Sequence, residues 1–485
     1  MTRRRLTARD RAARRVGPRE RRGPAAWLAA HTAAASLCVL RSVLDDEAGR
    51  LWLDLVEMLA ARSPNRSRLA AAYGRWFALL AAEVELASTP LIGDAWQHHL
   101  LTRLLEDENP FSLKAERAGV AAMGPALVAQ VRLDLDALHR CYRSGGAALA
   151  RGVARRTGLW PAVWDGFLPL SGSAADAPRL ALMQRLAAAR DWGSLAEEIA
   201  AYFAAHGAGL FGRARAFRWV PARGGGHLEG VMEPDPICLS DLIGYETERQ
   251  PVLENTRQFV AGLPANNVLL YGDRGTGKSS TVKALLNEFS PQGLRLIEVA
   301  KEDLADYLRI LTLLRGRRER FILFVDDLSF EEHETQYKAL KAALEGSLEA
   351  RPENVVLYAT SNRRRLVREK FSDRTRPALD DDVHADETTQ EKLSLADRFG
   401  IHAPFLLPDP DRYLAIAETL AASAGVALPP QEVRRRALLW SQWHNGHSCR
   451  TARQFADALR GEIALANRDG GARRASAASR RRPPG

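Results

Sequence analysis

Cysteine is scarce in this 485-residue chain: Cys38, Cys141, Cys238 and Cys449 stand far apart and no two form a C-x-x-C pair. That spacing argues against a disulfide framework and against a zinc site built on paired thiolates, and it fits a reducing compartment. Long apolar runs are missing as well. A membrane-spanning helix needs about eighteen or more consecutive apolar residues, and no stretch approaches that, so no membrane span is expected. Residues 25–40 look superficially like the apolar part of a secretory signal. They are mostly Ala, contain His31 and Thr32, and offer no small-residue cleavage site before Arg41. Leu37 before Cys38 is a poor lipoprotein cleavage site, and the N-terminal tail lacks the Ser enrichment of a transit peptide. A cytoplasmic location is the expectation.

Acidic residues are few at the two ends. Residues 1–24 hold ten Arg against Asp10 and Glu20, and residues 468–485 hold six Arg against Asp469. These tails carry +8 and +5 of a net +10, which leaves the body of the chain at −3. Such arms are solvated and disordered by default, and nucleic-acid backbone contact through them is the partner they suggest.

The length is enough for two or three domains, each with its own core. Residues 25–222 read as an α-helical N-terminal domain. Leu69, Tyr73, Trp76, Phe77, Leu80 and Val84 recur at spacings of three and four and share one helix face. Trp27, Trp52, Trp76, Trp96, Trp160, Trp164 and Trp192 all fall here and are expected in its core. His98 and His99 are adjacent, so on a helix they diverge by about 100° and make a poor metal pair. Residues 223–238, which begin RGGGH, read as a flexible linker.

From residue 239 the pattern changes to alternating strands and helices, the sign of a parallel sheet covered on both faces. Five strands are expected, at 268–271, 295–299, 321–325, 355–360 and 402–407. Residues 408–467 read as a small helical bundle.

The stretch that organises this half is YGDRGTGKSS, residues 271–280. It matches G-x-x-x-x-G-K-S/T after an apolar run and before a helical pattern. There, successive backbone N–H groups and a positive helix end can hold a triphosphate. Gly272, Gly275 and Gly277 allow close backbone approach, with Asp273, Arg274, Thr276 and Ser280 as the other loop positions. Lys278 is placed to reach the β- and γ-phosphates and Ser279 to bind Mg²⁺. ATP and Mg²⁺ are therefore the expected ligands.

Further along, FILFVDD ends a buried strand in acid, so Asp326 is placed to hold Mg²⁺ through water. Asp327 or Glu331 is then the carboxylate that activates water; spacing alone leaves both open. VVLYATSN follows, and Asn362 just past a strand suits an amide that senses the γ-phosphate. Ile243 and Tyr245 in DLIGYETERQ could cover an adenine ring, or this stretch could be a capped helix packed on the sheet. Arg398, before the last strand, could reach a neighbouring subunit's γ-phosphate, a surface ion pair being the plainer reading. Arg450 and Arg453 begin a helix from which one could touch the nucleotide.

These parts in this order resemble the AAA+ ATPases. The strings DLIGYETERQ, LLYGDRGTGKSS, FVDDLSFE, ATSNRR, EKLSLADRFG and CRTARQF look more closely like the bacterial AAA+ family catalogued as domain of unknown function 815. The resemblance runs over residues 232–459. It implies a Walker A loop at residues 272–279, Walker B at Asp326, sensor 1 at Asn362 and an arginine finger at Arg398. Sensor 2 falls at Arg450, with Arg453 as runner-up. Asp327 stands where the superfamily usually has Glu, one methylene longer, which bears directly on catalytic competence.

The expectation is an α/β protein: an αβα P-loop AAA+ core with a five-stranded parallel sheet over residues 239–407, a helical lid and the helical N-terminal domain. Its activity would be Mg²⁺-dependent ATP hydrolysis in ATP-dependent homo-oligomers, rings in form, acting on a macromolecule that the sequence does not name. Three rivals remain: a nucleotide-gated switch with little hydrolysis, a small-molecule P-loop kinase, and a nucleic-acid binder whose tails ATP modulates. The kinase reading leaves Asn362, Arg398 and Arg450 without work.

Overall fold

In the computed structural model, the described residues are 23–87, 89–159, 164, 166–169, 177–222, 225–329, 340, 351–362, 397–444 and 446–479. The chain divides into two compact units, Met1–Gly212 and Arg213–Gly485.

The first unit is helical: α1 (Pro24–Ala35), α2 (Glu47–Ala60), α3 (Arg66–Glu85), α4 (Ala95–Glu106), α5 (Pro110–Ala118), α6 (Pro125–Arg143), α7 (Gly146–Thr157), α8 (Ala177–Ala188), α9 (Ala196–His206) and α10 (Gly209–Arg213). Side-chain caps start several of these helices. Asp46 accepts from the Gly49 N–H, Asn65 from Arg68 and Asp94 from Gln97. Each answers one of the donors that a helix start leaves unpaired. Trp27, Trp52, Trp76, Trp96, Trp164 and Trp192 are all buried in one core, and Trp52 stacks on Trp96 at 5.2 Å. Trp160 lies outside the described residues. His99 is buried between two carboxylates, 2.9 Å from Asp46 and 2.7 Å from Glu83, and so ties the start of α2 to α3 and α4.

The second unit is built on a seven-stranded sheet: β1 (Ala216–Val220), β2 (His227–Val231), β3 (Val268–Gly272), β4 (Leu294–Glu298), β5 (Arg320–Val325), β6 (Val355–Ser361) and β7 (Ile401–Phe405), in the order β2-β1-β4-β5-β6-β3-β7. Five strands were expected. The two extra ones form a hairpin from residues read as the end of the helical domain and the flexible linker. β1 pairs antiparallel with β2 and parallel with β4, and the Trp219 indole donates to Asp306. A five-residue strand offers too short an alternation to stand out beside helical sequence. The inner strands β3, β5 and β6 are as apolar as strands covered on both faces must be, with all seven residues of β6 buried, whereas edge strand β7 exposes His402 and Pro404.

Helices α11 (Glu246–Val260), α12 (Lys278–Phe289) and α13 (Tyr307–Leu314) belong to this sheet layer. The buried Tyr358 hydroxyl on β6 is bonded to Asn255 and Thr256 of α11. After β7 come α14 (Pro410–Ser423), α15 (Pro430–Trp443) and α16 (Cys449–Ser479), with an apolar core of their own around Tyr413, Ile416, Val433 and Phe455. Helix α16 runs to Ser479, into residues expected as a disordered basic tail.

Candidate functional site: a phosphate loop under a helical lid

The strand order decides what can meet. β3 lies between β6 and β7, and β5 lies beside β6. The carboxyl ends of β3, β5 and β6 therefore sit side by side, and each releases one expected motif: the 272–279 loop, Asp326 with Asp327, and Asn362. Ligands of open α/β sheets bind at this edge.

The loop is held by backbone contacts that only glycine permits. At Gly272, with φ 132°, a Cβ would lie 2.2 Å from the Phe405 carbonyl of β7. Gly277, with φ 95°, caps α12 and offers no side chain to its first-turn N–H groups, which leaves them for an anion. Lys278 Nζ donates to the carbonyls of Gly272 and Asp273 at 2.9 and 2.6 Å and to Asn362 Oδ1 at 3.2 Å. Burial lowers the Lys278 pKa, against the pull of Asp273, Asp326 and Asp327, and the Arg450 charge adds to the lowering.

The acidic edge forms one network. Ser279 Oγ donates to Asp326 Oδ1 at 2.6 Å, and Thr360 Oγ1 donates to the same oxygen at 2.5 Å. Thr360 Oγ1 in turn accepts the Asp327 N–H at 2.9 Å. Asp327 adopts a left-handed backbone, φ 53°, rare for a residue with a side chain, and its Oδ1 accepts from Asn362 Nδ2 at 2.6 Å. Thr360 was not among the expected site residues. Its signal was there: on a strand, residues 360 and 362 face the same way.

The cleft encloses about 690 Å³. One end is polar, with Arg274, Gly275, Thr276, Gly277, Lys278, Ser279, Ser280, Asp326, Asp327 and Asn362. The other is apolar, with Ile237, Leu242 and Ile243 facing Ile416 and Leu420 of α14. Arg450 and Arg453 both line it from α16. The Arg450 N–H donates to the Gly275 carbonyl at 3.0 Å, which puts Arg450 directly over the loop. Arg453 instead donates to the Asp241 carbonyl at 3.0 Å. Of the two sensor 2 candidates, Arg450 is thus the one whose backbone is bonded to the loop.

Four expected site residues do not line the cleft. Tyr245, also in a left-handed backbone, is buried against Phe405 at 5.3 Å and its hydroxyl donates to the Leu406 carbonyl. Arg412 covers its other side, 4.2 Å from the ring centre, and pairs with Glu248. Tyr245 therefore packs core against lid while Ile243 faces the cleft. Gly272 and Asp273 lie behind the loop; Asp273 accepts the Leu407 N–H at 2.8 Å. Arg398 is exposed at the amino end of β7, the edge opposite the loop. Glu331 lies outside the described residues.

This donor set fits a nucleoside triphosphate with a divalent cation. Ser279 and Asp326 would hold Mg²⁺, the α12 N-terminus and Lys278 the phosphates, and the apolar end a base. A phosphate loop, an acidic strand end and an amide just past the strand between them, under a helical lid, make this a P-loop protein of the AAA+ class. Within that class, the chain belongs to the family described as Protein of unknown function (DUF815), whose model matches residues 212–463.

Proteasome-activating nucleotidase 2 of Haloferax volcanii is 30% identical over 112 residues, covering 20% of this chain and 27% of that protein. The chain thus spans about a quarter of that relative's length. A RuvB variant of Thermotoga maritima is similar at 17% identity and a TM-score of 0.34, over 48% of this chain and 67% of that one. The ORC1 protein of Aeropyrum pernix, solved in complex with DNA, matches at 19% identity and a TM-score of 0.34, over 47% and 61%.

Proposed function

We propose that the protein binds ATP with Mg²⁺ and hydrolyses it as a cytoplasmic homo-oligomer, a ring in form, coupling turnover to the remodelling or loading of a macromolecule. The observation that carries this reading is the convergence of Lys278, Ser279, Asp326 and Asn362 on one cleft while Arg398 sits at the opposite edge of the sheet. β7 separates them by five residues, roughly 16 Å of strand, so Arg398 cannot serve its own site. It suits a neighbour's.

Mg²⁺ held by Ser279 and Asp326 would neutralise charge on the β- and γ-phosphates. Lys278 would exchange the loop carbonyls for phosphate oxygens, a stronger, charge-assisted contact. Asp327 or Glu331 would take a proton from the attacking water, Asn362 would orient it, and Arg450 would follow the γ-phosphate from the lid. The basic tails are the proposed route to nucleic acid.

The test is steady-state ATP hydrolysis over a protein concentration series, with and without DNA, beside Lys278→Ala. Turnover per subunit should rise with concentration and vanish in the variant. A rate per subunit that stays flat while the protein assembles would refute the shared site.

One observation favours a second reading, the nucleotide-gated switch. The Asp327 carboxylate is short and already engaged by the Asn362 amide, which holds it in place. Tight ATP binding without turnover would select this reading.

A further inference from the structure

The helical unit carries a cationic face that plays no part in the ATP site. The loop from α2 to α3 holds Arg62, the first turn of α3 holds Arg66 and Arg68, and the last two turns of α7 hold Arg151, Arg155 and Arg156. These segments are brought together by packing. Gly152 lets α7 approach closely: a Cβ there would lie 3.0 Å from the Trp27 ring and 3.1 Å from a Leu59 methyl. Arg156 then donates to the carbonyls of Leu59, Ala61 and Arg62 at 3.1–3.3 Å, where the C-terminus of α2 leaves them unpaired. Its role is structural: it ties the end of α7 to the end of α2 and the loop that leads into α3.

Arg62, Arg66, Arg68 and Arg151 are exposed and form no ion pair with any described residue. Glu57 is the single acid in residues 57–68 and 146–157. The charges of Arg62, Arg66, Arg68 and Arg151 repel one another in the folded state, a cost that an anionic partner would offset. The surrounding residues identify the partner. Ala61, Ser63, Pro64, Asn65 and Ser67 are small or polar, and Leu149 and Val153 of α7 point inward. A membrane-surface helix needs an exposed apolar flank beside its charges; residues 61–68 and 146–157 expose no large apolar side chain, and Leu159 just past α7 stands alone there among the described residues. Arg in place of Lys suits bidentate phosphate contact, and the α3 N-terminus adds its positive end.

We propose that this corner of the helical unit binds the phosphate backbone of nucleic acid without reading its sequence, as a site separate from the basic tails. The inference does not rest on ATP hydrolysis. The test measures binding of the full-length chain to a fluorescent 30-base-pair DNA duplex across a salt series, without nucleotide. Arg62→Gln, Arg66→Gln, Arg68→Gln and Arg151→Gln are combined in one variant, and the same positions are changed to Lys in a second. Each phosphate contact contributes about 0.9 to the slope of log affinity against log salt. The Gln variant is expected to bind about 100-fold more weakly at 0.15 M salt with a slope flatter by about 3.6, and the Lys variant to keep the slope. Unchanged melting temperatures confirm that both fold. Equal affinity and slope in the Gln and unaltered chains would overturn the proposal. So would loss of binding to phosphatidylserine vesicles by the Gln variant while its DNA binding stays intact.

Discussion

At the residue scale, Asp327 is where the proposed hydrolysis is most directly tested. Its left-handed backbone and its bond to Asn362 hold a carboxylate one methylene short of the usual reach. Asp327→Asn should abolish turnover and leave ATP binding in place. Asp327→Glu should raise kcat if reach is limiting, and a fall in kcat would pass the role to Glu331. Thr360 gives a separate test. Thr360→Val keeps the shape but strands the Asp327 N–H and removes a donor from Asp326, a loss of about 1–3 kcal/mol. It should lower the melting temperature and raise the Mg²⁺ concentration needed for half-maximal turnover, whereas Thr360→Ser should restore both.

What could be read in the sequence divides along the same line. The loop 272–279, Asp326 and Asn362 were legible because their chemistry demands fixed residue types at strand ends. Tyr245 was misplaced because an aromatic beside a nucleotide motif fits a base wall and a core–lid contact equally well. The structure decides for the contact, with Phe405 on one side of the ring and Arg412 on the other. The wall of Ile416 and Leu420 was hidden, since those residues lie far along the chain in an ordinary amphipathic helix.

At the element scale, the junction of α2, α3 and α4 depends on one proton. Burial opposes a charge on His99, but its hydrogen bonds to the Asp46 and Glu83 carboxylates outweigh it and raise the pKa from 6.5 to about 9. A pKa raised in the folded state adds stability that is complete below the unfolded value and disappears as pH rises through the folded one. The window is therefore pH 6.5 to about 9, with on the order of 3 kcal/mol at stake. The melting temperature of the helical unit should fall across that range. His99→Gln should melt lower at pH 6 and show little further fall, and a parallel decline in both chains would remove His99 as the cause.

The hairpin β1–β2 shows where element reading failed. The alternation in residues 216–220 is short, and its pairing with β4 brings together segments about 80 residues apart. Contacts of that kind leave no local trace.

At the scale of the whole molecule, Arg398 predicts an assembly. Arg398→Ala and Lys278→Ala should each be inactive. Mixed in equal amounts, they should regain about a quarter of the unaltered rate, since random placement around a closed ring pairs an intact loop with an intact arginine at one interface in four. No recovery in a mixture shown to co-assemble would place Arg398 outside the site. Among the described residues, no helix is long and apolar enough to cross a membrane.

The phosphate loop is fastened to the lid at two points. Asp273 holds the Leu407 N–H just before α14, and Gly275 holds the Arg450 N–H at the start of α16. A loop that moves about 1 Å to accept phosphate pulls on both. Helix α14 is roughly 20 Å long, so that displacement at its base is a rotation of roughly 3°. The lid is in effect a lever with its short arm inside the nucleotide site, and the far end of α14 would report the state of the γ-phosphate as an angle.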